Sequence, residues 1–232
     1  MAAGVGAALL WLIATAEKKR QQKQGEAAYM PLVRAAAAAA NVPAAKLAGI
    51  INAESSWSNL PIKPPINPIS RAKWKCLDAS GDLISCSEKF GTSCITSYSG
   101  AVGLTQVLPS TAKMPAESLC DPANAMIAGA RYLRTLYTRY SSRGYSDDQA
   151  WYLAAMAYNQ GPGNVDGYLR SNIVAEKANK LPDGSVTVTK AGIAYADKVT
   201  KAAAEYGMAG LGAPARAPAL ASRPNFFRAR CA

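Results

Sequence analysis

The chain has 232 residues, half of them hydrophobic, which is enough for one sizeable domain with tails or two small ones. It contains no histidine. This excludes Ser-His-Asp and Cys-His nucleophilic sites and zinc hydrolases built on imidazole ligands. Acid–base chemistry near neutral pH must therefore come from a carboxylate, a lysine, a tyrosine or a cysteine.

The formal net charge of +11 is concentrated near the two ends of the chain. Residues 17–24 carry four basic side chains against one acid, and residues 208–232 carry four arginines and no acid. Basic ends contact anionic lipid, nucleic acid or an acidic polymer, or they only keep a protein soluble. No aromatic interleaving or base-reading motif accompanies them, so we do not expect a nucleic-acid partner.

Residues 2–16 form an unbroken apolar run that leads into the basic segment. The run is shorter than the roughly 20 residues that span a bilayer as a helix. No Lys or Arg precedes it, as one would in a signal peptide. We interpret residues 1–24 as an uncleaved anchor with a basic flank that contacts a membrane through 2–16. The alternative is a hydrophobic helix buried in a protein assembly.

Apolar periodicity and cap signals predict a mainly α fold, with the folded domain over residues 26–207. Asp121 and Pro122 supply an N-cap and a first-turn proline for one helix, and Ser146 begins the next. Alternation at period two is confined to about residues 185–189. The predicted helices cover residues 26–40, 43–56, 122–140, 146–160 (stopped by Gly161) and 189–206 (with Gly207 as C-cap).

Residues 58–99 are rich in Pro, Ser, Gly and Cys and are predicted to be a long, mostly irregular insertion. The tail, residues 208–232, is rich in Ala, Pro and Arg and is predicted to be extended or tethered to another molecule. Four of the five cysteines form an even set that favours disulfides in an oxidising compartment, and reduced thiols are the alternative. Without histidine or a C-x-x-C pair, we expect no metal site and no cofactor. The four are Cys76, Cys86, Cys94 and Cys120, and the sequence leaves their pairing open.

Glu54 is the carboxylate with the most unusual predicted position. On the second helix it follows Leu47, Ile50 and Ile51 at the spacing i, i+3, i+4 and i+7, so it shares their apolar face. Burial disfavours an ionised carboxyl, so the pKa of Glu54 is predicted to be raised. A general acid in glycoside cleavage needs such a pKa, although a hydrogen-bonded structural Glu would give the same helix pattern.

Four short blocks of sequence, taken in their order along the chain, resemble the motifs of a known family. They are Glu54–Trp57 (ESSW), Ser97–Ala112 (SYSGAVGLTQVLPSTA), Arg131–Leu133 (RYL) and Ala157–Gly163 (AYNQGPG). These blocks resemble those of the soluble-type lytic transglycosylases, whose goose-lysozyme-like catalytic domain has ES, GLMQ and AYNAG blocks. The resemblance covers about residues 43–206 and implies a lysozyme-like helical domain.

The resemblance also implies a role for each matched residue. Glu54 would be the single catalytic acid/base. Two positions depart from the family pattern, since Thr105 replaces the usual Met and Gln160 the usual Ala. Both changes are expected to affect only how the sugar packs, because neither removes a catalytic group. The side chains that would line the saccharide cleft or orient the sugar are Ser97, Gln106, Tyr158, Asn159 and Tyr195.

The implied function is a lytic transglycosylase that cleaves the MurNAc-GlcNAc β-1,4 bond of peptidoglycan and leaves 1,6-anhydro-MurNAc ends. One alternative is a lysozyme-type hydrolase, which would need a second carboxylate such as Asp78, Asp82 or Glu88. Another is a structural or membrane-channel component that keeps the fold and does not cut. The expected location is a virion or the periplasm and cell envelope rather than the free cytoplasm. The expected partners are glycan strands and proteins of a virion or secretion complex.

Overall fold

A computed structural model describes residues 3–64, 74–171, 174 and 188–207, with side chains from residue 15 onward except that of Lys18. The described part is helical and its strand pairing is limited to isolated bridges, so the prediction of a mainly α fold is confirmed. The α-helices are α1 (Ala3–Ala40), α2 (Ala44–Glu54), α3 (Cys86–Phe90), α4 (Pro109–Ala112), α5 (Pro122–Ser141), α6 (Asp147–Gln160), α7 (Pro162–Ser171) and α8 (Lys190–Tyr206), and a 3-10 helix covers Glu117–Cys120.

The first helix is longer than predicted. The apolar run, the basic segment and the predicted helix 26–40 form one continuous helix, α1. The change from apolar to charged residues suggested a boundary, but Ala, Glu, Lys and Gln all have high helix propensity and carry the helix across it. Within the described residues, no helix is long and apolar enough to cross a membrane.

The core forms around α2. Leu47, Ile50 and Ile51 are fully buried, and α2 packs chiefly against α8. The two helices approach closely because Gly49 faces the backbone of α8, where an added Cβ would lie 2.7 Å from the carbonyl oxygen of Val199. The helices α5 and α6 pack against each other, and α1 covers α5.

Helix starts were predicted better than helix ends. The side chains of Asp121, Ser146 and Thr189 cap α5, α6 and α8 as their positions suggested. Gly161 ends α6 with a φ of +80°, but Pro162 begins α7 at once, a helix that the Gly-Pro-Gly stop signal hid. Gly207 follows α8 with a right-handed φ of −62°, so the left-handed cap typical of glycine is not formed there.

Two disulfides hold the segment between α2 and α5, which confirms the prediction that these cysteines are oxidised. Cys76 is bonded to Cys86, and Cys94 to Cys120. The first closes a short loop that contains the Leu77–Leu83 bridge, and the second joins the predicted insertion to the end of the 3-10 helix. The remaining predictions, for residues 65–73, 185–187 and 208–232, fall outside the described residues.

Replacing both Cys94 and Cys120 by Ser should lower the free energy of unfolding by about 3 kcal/mol, because a closed loop of this length removes that much entropy from the unfolded chain. The double replacement of Cys76 and Cys86, which close a shorter loop, is the matched control and should lower it less. Equilibrium urea unfolding of the three proteins measures the difference. Equal midpoints for wild type and the Cys94/Cys120 variant would contradict the prediction.

Candidate active site

Glu54 is the last residue of α2, directly after the buried turn that anchors this helix in the core. Burial raises the pKa of its carboxyl from an ordinary 4.5 to about 7, against smaller opposite effects of a Tyr195 hydrogen bond and the charge on Lys198. A helix C-terminus also disfavours negative charge. The carboxyl therefore exists in both protonation states near neutral pH. A group that acts first as an acid and then as a base needs such a pKa.

The partner of this carboxyl comes from the last helix. The hydroxyl of Tyr195 on α8 donates to Glu54 Oε1 over 2.6 Å. Burial, together with the nearby Glu54, holds the pKa of Tyr195 well above its usual range, so this phenol remains a donor. Lys198, one turn further along α8, donates from Nζ to the carbonyl oxygen of Ala53 over 3.2 Å and places a positive charge beside the carboxyl.

Tyr158 approaches the same carboxyl from α6, but its hydroxyl has another partner. The hydroxyl donates to the carbonyl oxygen of Thr105 over 2.8 Å. The ring is buried, and burial, followed by the charge of Glu54, raises the pKa of Tyr158 well above its usual range. Tyr158 thus links the α6 wall of the site to the loop that carries Thr105.

That loop, residues 94–107, contains two of the predicted cleft residues. Gln106 has a φ of +49°, and its Nε2 donates to the carbonyl oxygens of Gly103 at 2.9 Å and Ile95 at 3.2 Å. Ser97 Oγ accepts from the backbone N–H of Ala101 at 3.0 Å. Both side chains thus brace the turns of the loop, and both remain partly exposed.

The end of α6 supplies the last predicted cleft residue. Asn159 is exposed, and its Oδ1 accepts from Gln160 Nε2 over 2.6 Å. Gln160 in turn accepts from the hydroxyl of Thr189 over 3.1 Å, which joins the end of α6 to the start of α8. A Cβ at Gly192 would lie 2.4 Å from Gln160 Cγ, so the contact is tight. Gln160, which replaces the family's usual Ala, therefore connects the end of α6 to the start of α8.

The departure at Thr105 does not face the sugar. The side chain is fully buried, and its hydroxyl donates to the carbonyl oxygen of Ala125 on α5 over 2.7 Å. A Cβ at Gly129 would lie 2.6 Å from Thr105 Cβ, so glycine leaves the space that this side chain fills. Thr105 therefore cannot contact a sugar directly, because no part of it reaches the surface. The expectation that this residue packs against the sugar is wrong.

The structure thus brings Glu54, Tyr195 and Tyr158 together around one carboxyl and places Gln106 directly after the residue that binds Tyr158. Ser97 and Asn159 lie on the flanking loop and helix end, with hydrogen bonds to their own neighbours. Sequence reasoning missed Lys198. Its spacing of three residues from Tyr195 on one helix is the signal that could have found it.

Part of the chain is similar to known proteins. Residues 83–181 match the family described as Transglycosylase SLT domain. This region, which is less than half of the chain, is similar to a transglycosylase SLT domain. A membrane-bound lytic murein transglycosylase F from Nitrosospira multiformis is 28% identical to this chain over 123 residues.

Both matches cover only part of the chain. The aligned region is 53% of this chain but 24% of the relative, so the chain spans about a quarter of that protein's length. The SLT match begins at residue 83, within the predicted insertion, and contains Ser97, Gln106, Tyr158 and Asn159. Glu54 and Tyr195 lie outside it, so their assignment depends on the geometry described above and on the sequence blocks.

No group of three or more His, Cys, Asp or Glu side chains in the described residues has an arrangement that holds a metal ion. The three carboxylates considered for a hydrolase, those of Asp78, Asp82 and Glu88, are exposed. Asp78 Oδ1 accepts from the backbone N–H groups of Ser80 and Asp82 and so stabilises its own turn.

Glu54→Gln should be more stable than wild type at high pH only. Below pH 4.5 the wild-type carboxyl is protonated in both folded and unfolded chains, and above pH 7 the full cost of ionising it in the fold is present. As pH rises from about 4.5 through 7, the free energy of unfolding of wild type should therefore fall relative to that of the Glu54→Gln variant. The fall should reach about 3 kcal/mol, at roughly 1.4 kcal/mol per pKa unit. Urea unfolding between pH 4 and 8 measures it.

The matched control for this pH dependence is Glu88→Gln, which makes the same change at an exposed carboxylate. A difference between Glu54→Gln and wild type that stays constant from pH 4 to pH 8 would show that the carboxyl of Glu54 is not desolvated in the folded protein.

Proposed function

We propose that this protein cleaves peptidoglycan glycan strands as a lytic transglycosylase, with Glu54 as the catalytic acid/base. The observation that carries the proposal is the carboxyl of Glu54, which desolvation gives a pKa of about 7 and which the Tyr195 hydroxyl holds at 2.6 Å. Such a group donates and accepts a proton at neutral pH. The SLT-domain match supports the choice of substrate.

The proposed reaction needs one acid/base and no water. Protonated Glu54 gives its proton to the oxygen of the scissile MurNAc-GlcNAc bond as the C1–O bond breaks, and the substrate's N-acetyl group stabilises the anomeric carbon. The ionised Glu54 then takes the proton of the C6 hydroxyl while that oxygen bonds to C1, which forms the 1,6-anhydro ring. An intramolecular hydroxyl has a high effective concentration, so it outcompetes water.

The surrounding residues are proposed to hold the sugar and the carboxyl. Tyr195 keeps one oxygen of Glu54 in place. The neutral Tyr158 completes the apolar wall that raises the pKa of Glu54. Ser97, Gln106 and Asn159 are proposed to bind sugar hydroxyl and amide groups, since all three carry polar groups at the surface of the flanking loop and helix end.

The lysozyme-type hydrolase remains a second candidate. It would need one of the exposed carboxylates Asp78, Asp82 or Glu88 to direct water. We favour transglycosylation because Asp78 already accepts two backbone hydrogen bonds in its own turn. The groups that act on the Glu54 carboxyl are the hydroxyl of Tyr195 and the charge of Lys198, and neither is a carboxylate.

The proposed place of action is the cell envelope. The relative from Nitrosospira multiformis is named as a membrane-bound murein enzyme. Two finer proposals follow from the sequence, namely that the apolar run 2–16 contacts a membrane or a protein assembly, and that the enzyme opens the wall for a virion or a secretion complex. A purely structural role is less well supported, because the acid/base and its tyrosine partner are both in place.

Digestion of purified peptidoglycan by the full chain should release muropeptides that end in 1,6-anhydro-MurNAc, identified by mass analysis. Glu54→Gln, which keeps the shape and removes the proton, should lower the rate by at least about 10³-fold, since proton transfer to the leaving oxygen is lost. Reducing ends alone would favour the hydrolase. Near wild-type activity in the Glu54→Gln variant would exclude Glu54.

Tyr195→Phe should move the loss of activity to higher pH. The Tyr195 hydrogen bond favours ionised Glu54, so its removal should raise the pKa of that carboxyl above about 7. Glu54 must be protonated to begin the reaction, so the alkaline limb of kcat/KM against pH should shift upward. Tyr168→Phe on α7 is the matched control. A limb that stays in place would show that Tyr195 does not act on Glu54.

A further inference from the structure

The long first helix contacts the chain on both sides of Glu54. Gln22 Nε2 on α1 donates to Oδ1 of Asn52, two residues before Glu54, over 2.7 Å. A Cβ at Gly25 would lie 2.4 Å from the carbonyl oxygen of Trp57, three residues after Glu54. The helix therefore lies against the end of α2 and against the loop that follows it.

Trp57 is the centre of this contact. Its side chain is 2% exposed, and its indole N–H donates to the hydroxyl of Tyr206, at the end of α8, over 2.8 Å. The two rings meet edge to face, with centroids 5.8 Å apart. Burial raises the pKa of Tyr206 to about 12, and the charge of Glu26 on α1 acts in the same direction. We call the contact of Gly25, Trp57 and Tyr206 the Trp57 clamp.

The loop needs such a clamp because its backbone is unfavourable by itself. Ser56 and Trp57 have φ values of +50° and +67°, in the left-handed region. This conformation is unfavourable for a non-glycine residue, so it persists only where surrounding contacts hold it. The Trp57 clamp therefore supplies contacts that hold the segment directly after Glu54.

From these contacts we propose that two residues of α1 position Glu54: Gln22, which acts through Asn52, and Gly25, which acts through Trp57. The inference rests on the proposed role of Glu54 and goes beyond it, because it makes the docking of α1 a requirement for cleavage. Both residues lie outside the region that matches the SLT family. Because α1 is continuous from Ala3 to Ala40, one helix contains both the apolar residues that follow Ala3 and the residues that contact Asn52 and Trp57.

Gly25→Ala tests the clamp with one methyl group. The new Cβ would meet a backbone oxygen at 2.4 Å, so α1 or the loop must shift. Alanine favours helix over glycine, so any loss of activity cannot come from a weaker α1. We expect kcat to fall about 10- to 100-fold, as a misplacement of about 1 Å does. KM should be unchanged, because the proposed sugar-binding residues lie on other elements.

Two further variants on the same helix complete the test. Gln22→Ala removes one hydrogen bond and should lower kcat by about threefold, a smaller effect than that of Gly25→Ala. Gln24→Ala changes an exposed residue between the two contacts and should keep wild-type kcat. Circular dichroism at the assay temperature checks that all three variants are folded.

A readout independent of turnover is the titration of the Glu54 side-chain carboxyl carbon by NMR. Gly25→Ala should move its pKa from about 7 toward the ordinary 4.5, because a displaced loop admits water. Wild-type titration together with kcat within twofold of wild type in both Gly25→Ala and Gln22→Ala would overturn the inference. If wild type itself does not cleave peptidoglycan, the proposed function fails, and the titration alone decides whether α1 positions Glu54.

Discussion

The burial of one carboxyl at the end of a helix is the constraint on which the rest of the site depends. Glu54 ends α2, and the fully buried Leu47, Ile50 and Ile51 fix this helix in the core. An ionised carboxylate in such surroundings is unfavourable, which raises its pKa to about 7. The fold tolerates the group because Tyr195 donates to it and Lys198 lies nearby.

The walls of the site are joined to each other as well as to the carboxyl. Tyr158 on α6 binds the carbonyl oxygen of Thr105, and the Thr105 side chain binds the backbone of α5 beside Gly129. The loop that contains Ser97 and Gln106 is therefore held on two helices, and the Cys94–Cys120 disulfide closes it covalently. These connections fix the loop relative to α5 and α6, so the groups around Glu54 are held in a defined arrangement.

The first helix links the two ends of the described chain. Residues 22–26 contact the end of α2, Trp57 in the loop after it and the end of α8, although they precede these elements by many residues. The apolar segment is thus part of the same helix as residues that contact the core.

The sequence by itself determined the helical class, most helix starts, the oxidised cysteines and the candidate acid. These features depend on local signals. The caps at Asp121, Ser146 and Thr189 act within one turn, and the position of Glu54 on an apolar stripe follows from helix geometry. The order of the sequence blocks also gave the resemblance to the SLT-type transglycosylases, with which residues 83–181 match.

Only the tertiary structure decided how these parts meet. The pairing of the cysteines, the contact of Tyr195 with Glu54 and the packing of Thr105 against Gly129 each join residues far apart in sequence, and no local pattern records such distances. The length of α1 was misjudged because polarity changed along it while helix propensity did not. The use of Gln160 and Trp57 between helices likewise depends on which elements the fold brings together.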